Sequence, residues 1–417
     1  MKLALGTALT ASLSFDQGQA PMPVGRLAMA GGLAQLEWSA EAIAAKLQVS
    51  ALNYPPEPGL HGARTRDFDG LHGFLADSLP EGWGYIVMRR RLAKLGTRIE
   101  DLTALDRLAI VGLEGRGALT YLPTIAPPPE VASLDLDALA SESLAILAGE
   151  EAALADTLAA LAGGSGGARP KVHVGFDAGG GISVSDGELP EGHEAWIVKF
   201  AAPNDPVDIG PIEASYAEMA MAAGLIMAPY KILSSRQGPG YFATRRFDRP
   251  QAGKRLHMVS LSGAIEAPSR MPSSYDLFFR ATRAITRRSQ DVEAAFRRMV
   301  FNILASNRDD HTRQHSYLMD AHGDWRLSPA YDLTYSTGPG GEHYLDVEGE
   351  GRNPTRAHVV RLGRKHGFSE KAIDMMIDEV GAATESWPRF ADEAGVGKES
   401  KREIQTALRA VATNFFS

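Results

Sequence analysis

The sequence contains no cysteine. That absence excludes disulfide scaffolds, Cys-ligated zinc, iron–sulfur clusters and thiol catalysis. The chain also lacks the roughly 18–20 uninterrupted apolar residues of a membrane-spanning helix. The nearest candidate, residues 219–230, is too short and predicts a buried helix running into Pro229. At the start, one Lys precedes a mildly apolar stretch that Thr7, Thr10 and Ser12 interrupt, and no small-x-small cleavage site follows. The partial alternation of Leu3, Leu5, Leu13 and Phe15 predicts a first strand rather than a leader, so a cytoplasmic location is expected. Basic charge is scarce overall. Against 51 Asp and Glu stand 43 Lys and Arg, a formal net charge of −8, so the molecule as a whole is not built to coat nucleic acid.

What remains is ordinary globular material. With 417 residues, 44% hydrophobic and 23% charged, the chain predicts two to three domains. Residues 1–122 read as a small β-rich module. Strand-like runs at 24–29 and 33–38 flank the Gly31-Gly32 turn, a Pro-rich loop covers 54–59, and a helical stretch from 85 to 95 closes at Gly96. A Pro-rich run after Leu122 marks the boundary. Residues 131–161 are Ala/Leu-rich, acidic and free of Lys and Arg, which predicts one or two amphipathic helices. A Gly-rich loop, 163–171, then leads into strand-like segments at 172–176 and 195–200, a helix over 211–223, and strands at 230–233 and 241–246. Beyond Asp248 the pattern turns helical. Val292, Phe296, Met299, Val300, Ile303 and Leu304 fall on one face of a buried helix. The resulting division is 1–122, 123–248 and 249–417.

The densest polar constellation follows that helix: Asn307-Arg-Asp309-Asp310-His311-Thr-Arg-Gln314-His315-Ser316, then Leu327-Ser-Pro-Ala-Tyr331-Asp332-Leu333. Two loop carboxylates so placed suit phosphoryl transfer, one accepting the proton of a substrate hydroxyl and the other binding Mg²⁺ on nucleotide phosphates. Helix caps and turn residues are the other reading of Asp309, Asp310 and Asp332. His311 and His315 would form a zinc pair only on a helix with a third ligand. The Gly-rich loop offers backbone N–H groups to a phosphate, although it is not a Walker A loop. Lys199, in the apolar run Trp196-Ile-Val-Lys-Phe, is either an edge-strand charge or the cation that pairs phosphates.

Taken together, these motifs closely resemble the HipA family, bacterial serine/threonine protein kinases that act as the toxins of HipA–HipB toxin–antitoxin modules. The resemblance rests on the 307–318 run and the Leu-x-Pro-x-Tyr-Asp-Leu motif, on Gly166–Lys171, on Lys199-Phe200, on Arg246-Phe247-Asp248-Arg249 and on Ser78-Leu-Pro-Glu-Gly82, in family order. It implies an α+β, bilobed protein-kinase-like fold, with a mixed α/β N-lobe and an all-helical C-lobe, after a small β-rich subdomain. Asp309 would be the catalytic base, and Asp332 with Gln314 would hold Mg²⁺. Lys199 would hold the ATP phosphates, and Gly166, Gly167, Ala168, Arg169, Pro170 and Lys171 would cover them. Arg245 to Phe247 would line the adenine pocket, with His311 and Tyr331 near the nucleotide. The implied substrate is a protein, an aminoacyl-tRNA synthetase such as glutamyl-tRNA synthetase. The implied partner is a helix-turn-helix HipB-like antitoxin, with DNA contacted only through it.

Two positions depart from the family pattern. Gln314 stands where Asn is common, one methylene longer, which loosens a metal site that demands tight octahedral geometry. Gly164 occupies the register of the family's autophosphorylated Ser, so that role is expected of Ser165. These departures motivate the alternative of a nucleotide-binding pseudokinase. A local basic excess between Arg245 and Arg313, fourteen Lys and Arg against seven Asp and Glu, is either solvated helix surface or an anion-facing lobe.

Overall fold

The computed structural model describes residues 6–125, 134–164, 166–184 and 189–417. Strands β1 (Leu9–Leu13), β2 (Met22–Ala30), β3 (Leu33–Trp38), β4 (Leu60–Gly62) and β5 (Leu119–Leu122) build an antiparallel sheet in the order β4-β3-β2-β1-β5. Period-two alternation turns Leu9, Ala11 and Leu13 inward from β1, and Ala34, Leu36 and Trp38 from β3. Gly31 and Gly32, both at positive φ, close the β2–β3 hairpin as its twist requires. Helices α1 (Ala40–Ala45), α2 (Gly73–Ala76), α3 (Trp83–Lys94) and α4 (Ala104–Val111) complete this part.

Next come α5 (Leu136–Ala148) and α6 (Ala155–Ala162), then β6 (Lys171–Phe176), β7 (Ile182–Ser183), β8 (Glu194–Lys199), α7 (Ile209–Ala222), β9 (Tyr230–Leu233) and β10 (Tyr241–Arg245). Their sheet runs β7-β6-β8-β10-β9, antiparallel throughout. The register sets Lys171 opposite Lys199, so both side chains emerge on one face. Helix α7 stops well short of Pro229, contrary to the sequence expectation. Gly224 at φ +79° and the bond from Leu225 N to Ala220 O turn the chain away.

The remainder holds β11 (His257–Ser260), α8 (Leu261–Ile265), β12 (Ser273–Ser274), α9 (Tyr275–Thr286), α10 (Ser289–Leu304), β13 (Ser316–Met319), β14 (Trp325–Leu327), β15 (Leu345–Asp346), α11 (Arg356–Lys365), α12 (Glu370–Glu385), α13 (Trp387–Ala394) and α14 (Lys398–Phe415). An all-helical 249–417 is therefore wrong. A three-stranded sheet, β11-β13-β14, and the short parallel pair β12-β15 lie within it. All four residues of β13 are buried, so it shows no alternation to distinguish it from a loop in the sequence.

Helix α10 buries Val292, Phe296, Met299, Val300, Ile303 and Leu304 as its spacing demands. Each large side chain contributes on the order of 2 kcal/mol by leaving water. One apolar cluster runs from β1 and β3 through α7 and α10 to α14, while a second joins Trp83 to α5, α6, β6 and β8. Among the described residues no helix is long and apolar enough to cross a membrane.

Candidate active site

Lys199, the last residue of β8, points at two carboxylates. Its Nζ lies 2.8 Å from Glu213 Oε2 on α7 and 2.7 Å from Asp332 Oδ1. Burial alone would lower the ammonium pKa, but Asp332 and Glu213 outweigh it and hold the group charged, above its ordinary value. Glu213 is only 4% exposed and escapes sequence reading, because nothing in the mostly apolar segment Ile209–Ala222 distinguishes it from Glu218. Its one signal is a carboxylate on a face that must be buried.

The Gly-rich loop folds back over the sheet edge. Lys171 donates from Nζ to Gly166 O at 2.7 Å, and burial lowers its pKa to about 8, an effect Asp332 opposes and Lys199 reinforces. Arg169 is engaged elsewhere. It clasps Asp205 through Nε and Nη2 and approaches Glu213 at 3.4 Å, tying the loop to α7 rather than presenting its charge to a phosphate. Pro170 O accepts from Phe200 N at 2.9 Å. Gly167 O accepts from Trp83 N, and Trp83 Nε1 donates to Lys171 O. The Leu-Pro-Glu-Gly signature thus seats the loop, with Ala168 beside Gly82. Ser165 lies outside the described residues.

The adjacent carboxylates Asp309 and Asp310 have separate roles. Asp310 is fully buried and accepts from Tyr275 Oη at 2.6 Å, Tyr344 N at 2.8 Å and His343 Nδ1 at 2.9 Å, so it is a structural anchor. Asp309 is 48% exposed. Partial burial, then the charges of Asp332 and Asp310, raise its pKa to about 6. His311 accepts from Arg313 N as the cap of a 3-10 turn, Thr312–Gln314, with its Nε2 3.8 Å from Asp309 Oδ1. His315 is buried against Phe278, ring centroids 4.2 Å apart.

Asp332 sits at φ +56°, a left-handed conformation that Asp tolerates better than most residues. Its second oxygen accepts from Gln314 Nε2 at 2.9 Å, and Lys199 and Lys171 hold it well below the usual carboxylate range against the burial that opposes them. Tyr331 donates to Arg313 O at 2.6 Å and packs its ring 5.5 Å from that of Phe247. Arg245 does not join them. It pairs across the sheet with Trp196, on the face opposite Lys199, and reaches Glu194 and Pro250 O instead. Arg246 is the hinge arginine on the Lys199 side, with Nη1 3.2 Å from His173 Nδ1 and Nε and Nη2 on Asp248.

The chemistry of this donor set fits a divalent cation. Asp309 and Asp332 supply hard oxygens, with the Gln314 amide against Asp332, and the Asp332 charge, which adds to burial in raising the Asp309 pKa, is a repulsion a cation would relieve. Lys199, Lys171 and the loop amides face the same space and suit an anionic phosphate chain.

Comparison with known proteins bears on these parts. Residues 163–387 match the HipA-like C-terminal domain, and residues 19–122 match the HipA N-terminal domain. The curated protein "Putative kinase Y4mE" of Sinorhizobium fredii is 27% identical over 207 residues, 47% of this chain and 43% of its own length. The chain thus spans less than half of that relative. The HipA toxin of Shewanella oneidensis MR-1, solved with HipB and operator DNA, superposes with a TM-score of 0.69 at 16% identity, covering 98% of this chain and 97% of that one. The fold is shared with that structure, and the domain matches extend over more than half of the sequence: the chain belongs to the HipA family.

Proposed function

We propose that the chain is an ATP- and Mg²⁺-dependent serine/threonine protein kinase that acts as a HipA-type toxin. The observation that supports this most is the buried Lys199–Glu213 pair, with Asp332 completing it and Asp309 alongside. A strand lysine fixed by a helix glutamate, a metal-binding Asp and a separate catalytic Asp are the recurring parts of a phosphoryl-transfer site.

In this reading Lys199 and Lys171 position the phosphate chain, and Phe247 and Tyr331 flank the base. Asp332 and Gln314 would hold Mg²⁺, which would supply charge neutralisation on the phosphates. Asp309 accepts the proton of the substrate serine as its oxygen attacks the γ-phosphorus and the bond to ADP breaks. A carboxylate with a pKa near 6 is well matched to that task at neutral pH.

The substrate we infer is an aminoacyl-tRNA synthetase, glutamyl-tRNA synthetase foremost, whose phosphorylation would halt translation. The partner is a HipB-like helix-turn-helix antitoxin. The Shewanella HipA in complex with HipB and operator DNA supports that pairing, and we propose that DNA is reached only through the antitoxin. One observation favours the second reading, a nucleotide-binding pseudokinase: Gln314 turns its amide nitrogen, not its oxygen, toward Asp332.

Incubation with γ-labelled ATP and Mg²⁺, alone and with cell extract, tests the proposal. Label on the protein or on an extract band of synthetase mass supports it. ATP binding without any transfer selects the pseudokinase.

A further inference from the structure

Arg116 lies in the turn between α4 and β5, far in sequence from every motif of the site, yet its side chain reaches the Gly-rich loop. Nε donates to Gly164 O at 2.8 Å. Nη2 lies so close to Gly166 that a Cβ there would come within 1.9 Å of it. The same charge is felt by Lys171, His173 and Tyr331, which places the guanidinium among the residues that face the phosphate cradle and the base.

Its position is rigidly set. On one side Gly115 O accepts from Arg249 Nη2 at 3.1 Å. On the other, Gly117 O accepts from Arg249 Nη1 at 2.7 Å, and Gly117 N donates to Asp248 Oδ2 at 2.9 Å. The hinge therefore grips the backbone on both sides of Arg116. Among the described residues Arg116 forms no ion pair: its only polar partner is the Gly164 carbonyl. An ordered, half-buried guanidinium with no carboxylate, next to a second cation, Lys171, that also bonds only a carbonyl, calls for an anion.

We propose that Arg116 belongs to the nucleotide site and contacts the terminal phosphates from the N-terminal module, closing the cradle opposite Lys171. The inference rests on the kinase reading for the identity of the anion. It gives the N-terminal module a direct part in nucleotide binding, with the guanidinium lying in the space beside Gly166.

Isothermal titration of the full-length protein with ATP, ADP and AMP in Mg²⁺ tests this, comparing wild type with Arg116→Gln and Arg116→Lys. Gln keeps a donor for Gly164 O and removes the charge. ATP affinity is expected to fall roughly tenfold or more in Arg116→Gln, the loss expected for a charge-assisted bond, with AMP changed less than about twofold and Arg116→Lys intermediate. Equal affinity for ATP, or an equal loss for all three nucleotides, would overturn the proposal, the latter by showing a loop-holding role. The melting temperature without nucleotide monitors folding of each variant. Arg116-dependent ATP binding without phosphate transfer would sink the kinase reading and leave this inference standing. Transfer that is untouched in Arg116→Gln would do the reverse.

Discussion

Gly82 and Gly167 meet so closely that a Cβ on Gly82 would lie 2.3 Å from the Gly167 carbonyl oxygen. Gly82 also adopts φ 51°, ψ −114°, a combination that L side chains avoid. The Leu-Pro-Glu-Gly signature is thus a seat for the Gly-rich loop, and its glycine is required twice over. Gly82→Ala is predicted to cost about 1–3 kcal/mol of stability and to weaken ATP binding several-fold by displacing the loop. Thermal unfolding and nucleotide titration of the variant check both parts.

Glu213→Gln removes one of the two charges that fix Lys199 and leaves Asp332 in place. The chain is predicted to stay folded, because Asp205 still satisfies Arg169. Phosphate transfer should fall tenfold or more, since the lysine must be fixed for the chemistry to proceed. Circular dichroism alongside an initial-rate assay separates the two effects.

Asp310→Ala and Asp309→Ala, one position apart, should give opposite outcomes. Loss of Asp310 strands Tyr275, His343 and the Tyr344 amide in a dry interior, at a cost of about 3 kcal/mol or more. Asp309→Ala should leave the melting temperature near or above that of wild type while abolishing transfer. Melting curves of the pair decide the assignment.

The raised pKa of Asp309 fixes the sign of a pH effect. A carboxyl whose folded pKa exceeds its unfolded value stabilises the fold fully below about pH 4 and loses that contribution as pH rises through about 6. At pH 7 without Mg²⁺ its charge therefore opposes folding, by about 1 kcal/mol once its half-exposure is allowed for. Asp309→Asn should raise the metal-free melting temperature at pH 7 by roughly 1–3 °C. The gain should shrink at lower pH. A gain that grows on acidification would contradict the assignment.

Much of the site could be read from the sequence, and the exceptions have physical causes. Lys199, Asp309, Asp332 and the Gly-rich loop stand in recognisable motifs, and the α10 stripe announced its own helix. Glu213 and Arg116 could not be found that way, because their roles arise from α7 packing on β10 and β9, which brings Glu213 to the end of β8, and from a distant turn reaching the loop. Arg245 was expected in the pocket, but the pairing of β10 with β8 puts it on the far face, and one residue of strand register decides which arginine of Arg245-Arg246 faces Lys199. The β11-β13-β14 sheet went unread because its central strand, β13, is buried on both faces and has no alternation.

The most direct test is to measure transfer of labelled γ-phosphate and ATP affinity side by side in wild type and Asp309→Asn. Wild type is expected to transfer label to itself or to a protein in extract and the variant to transfer none, with the variant's ATP affinity within a few-fold of wild type. Transfer that persists in Asp309→Asn, or a wild type that binds ATP and transfers nothing, would contradict this reading.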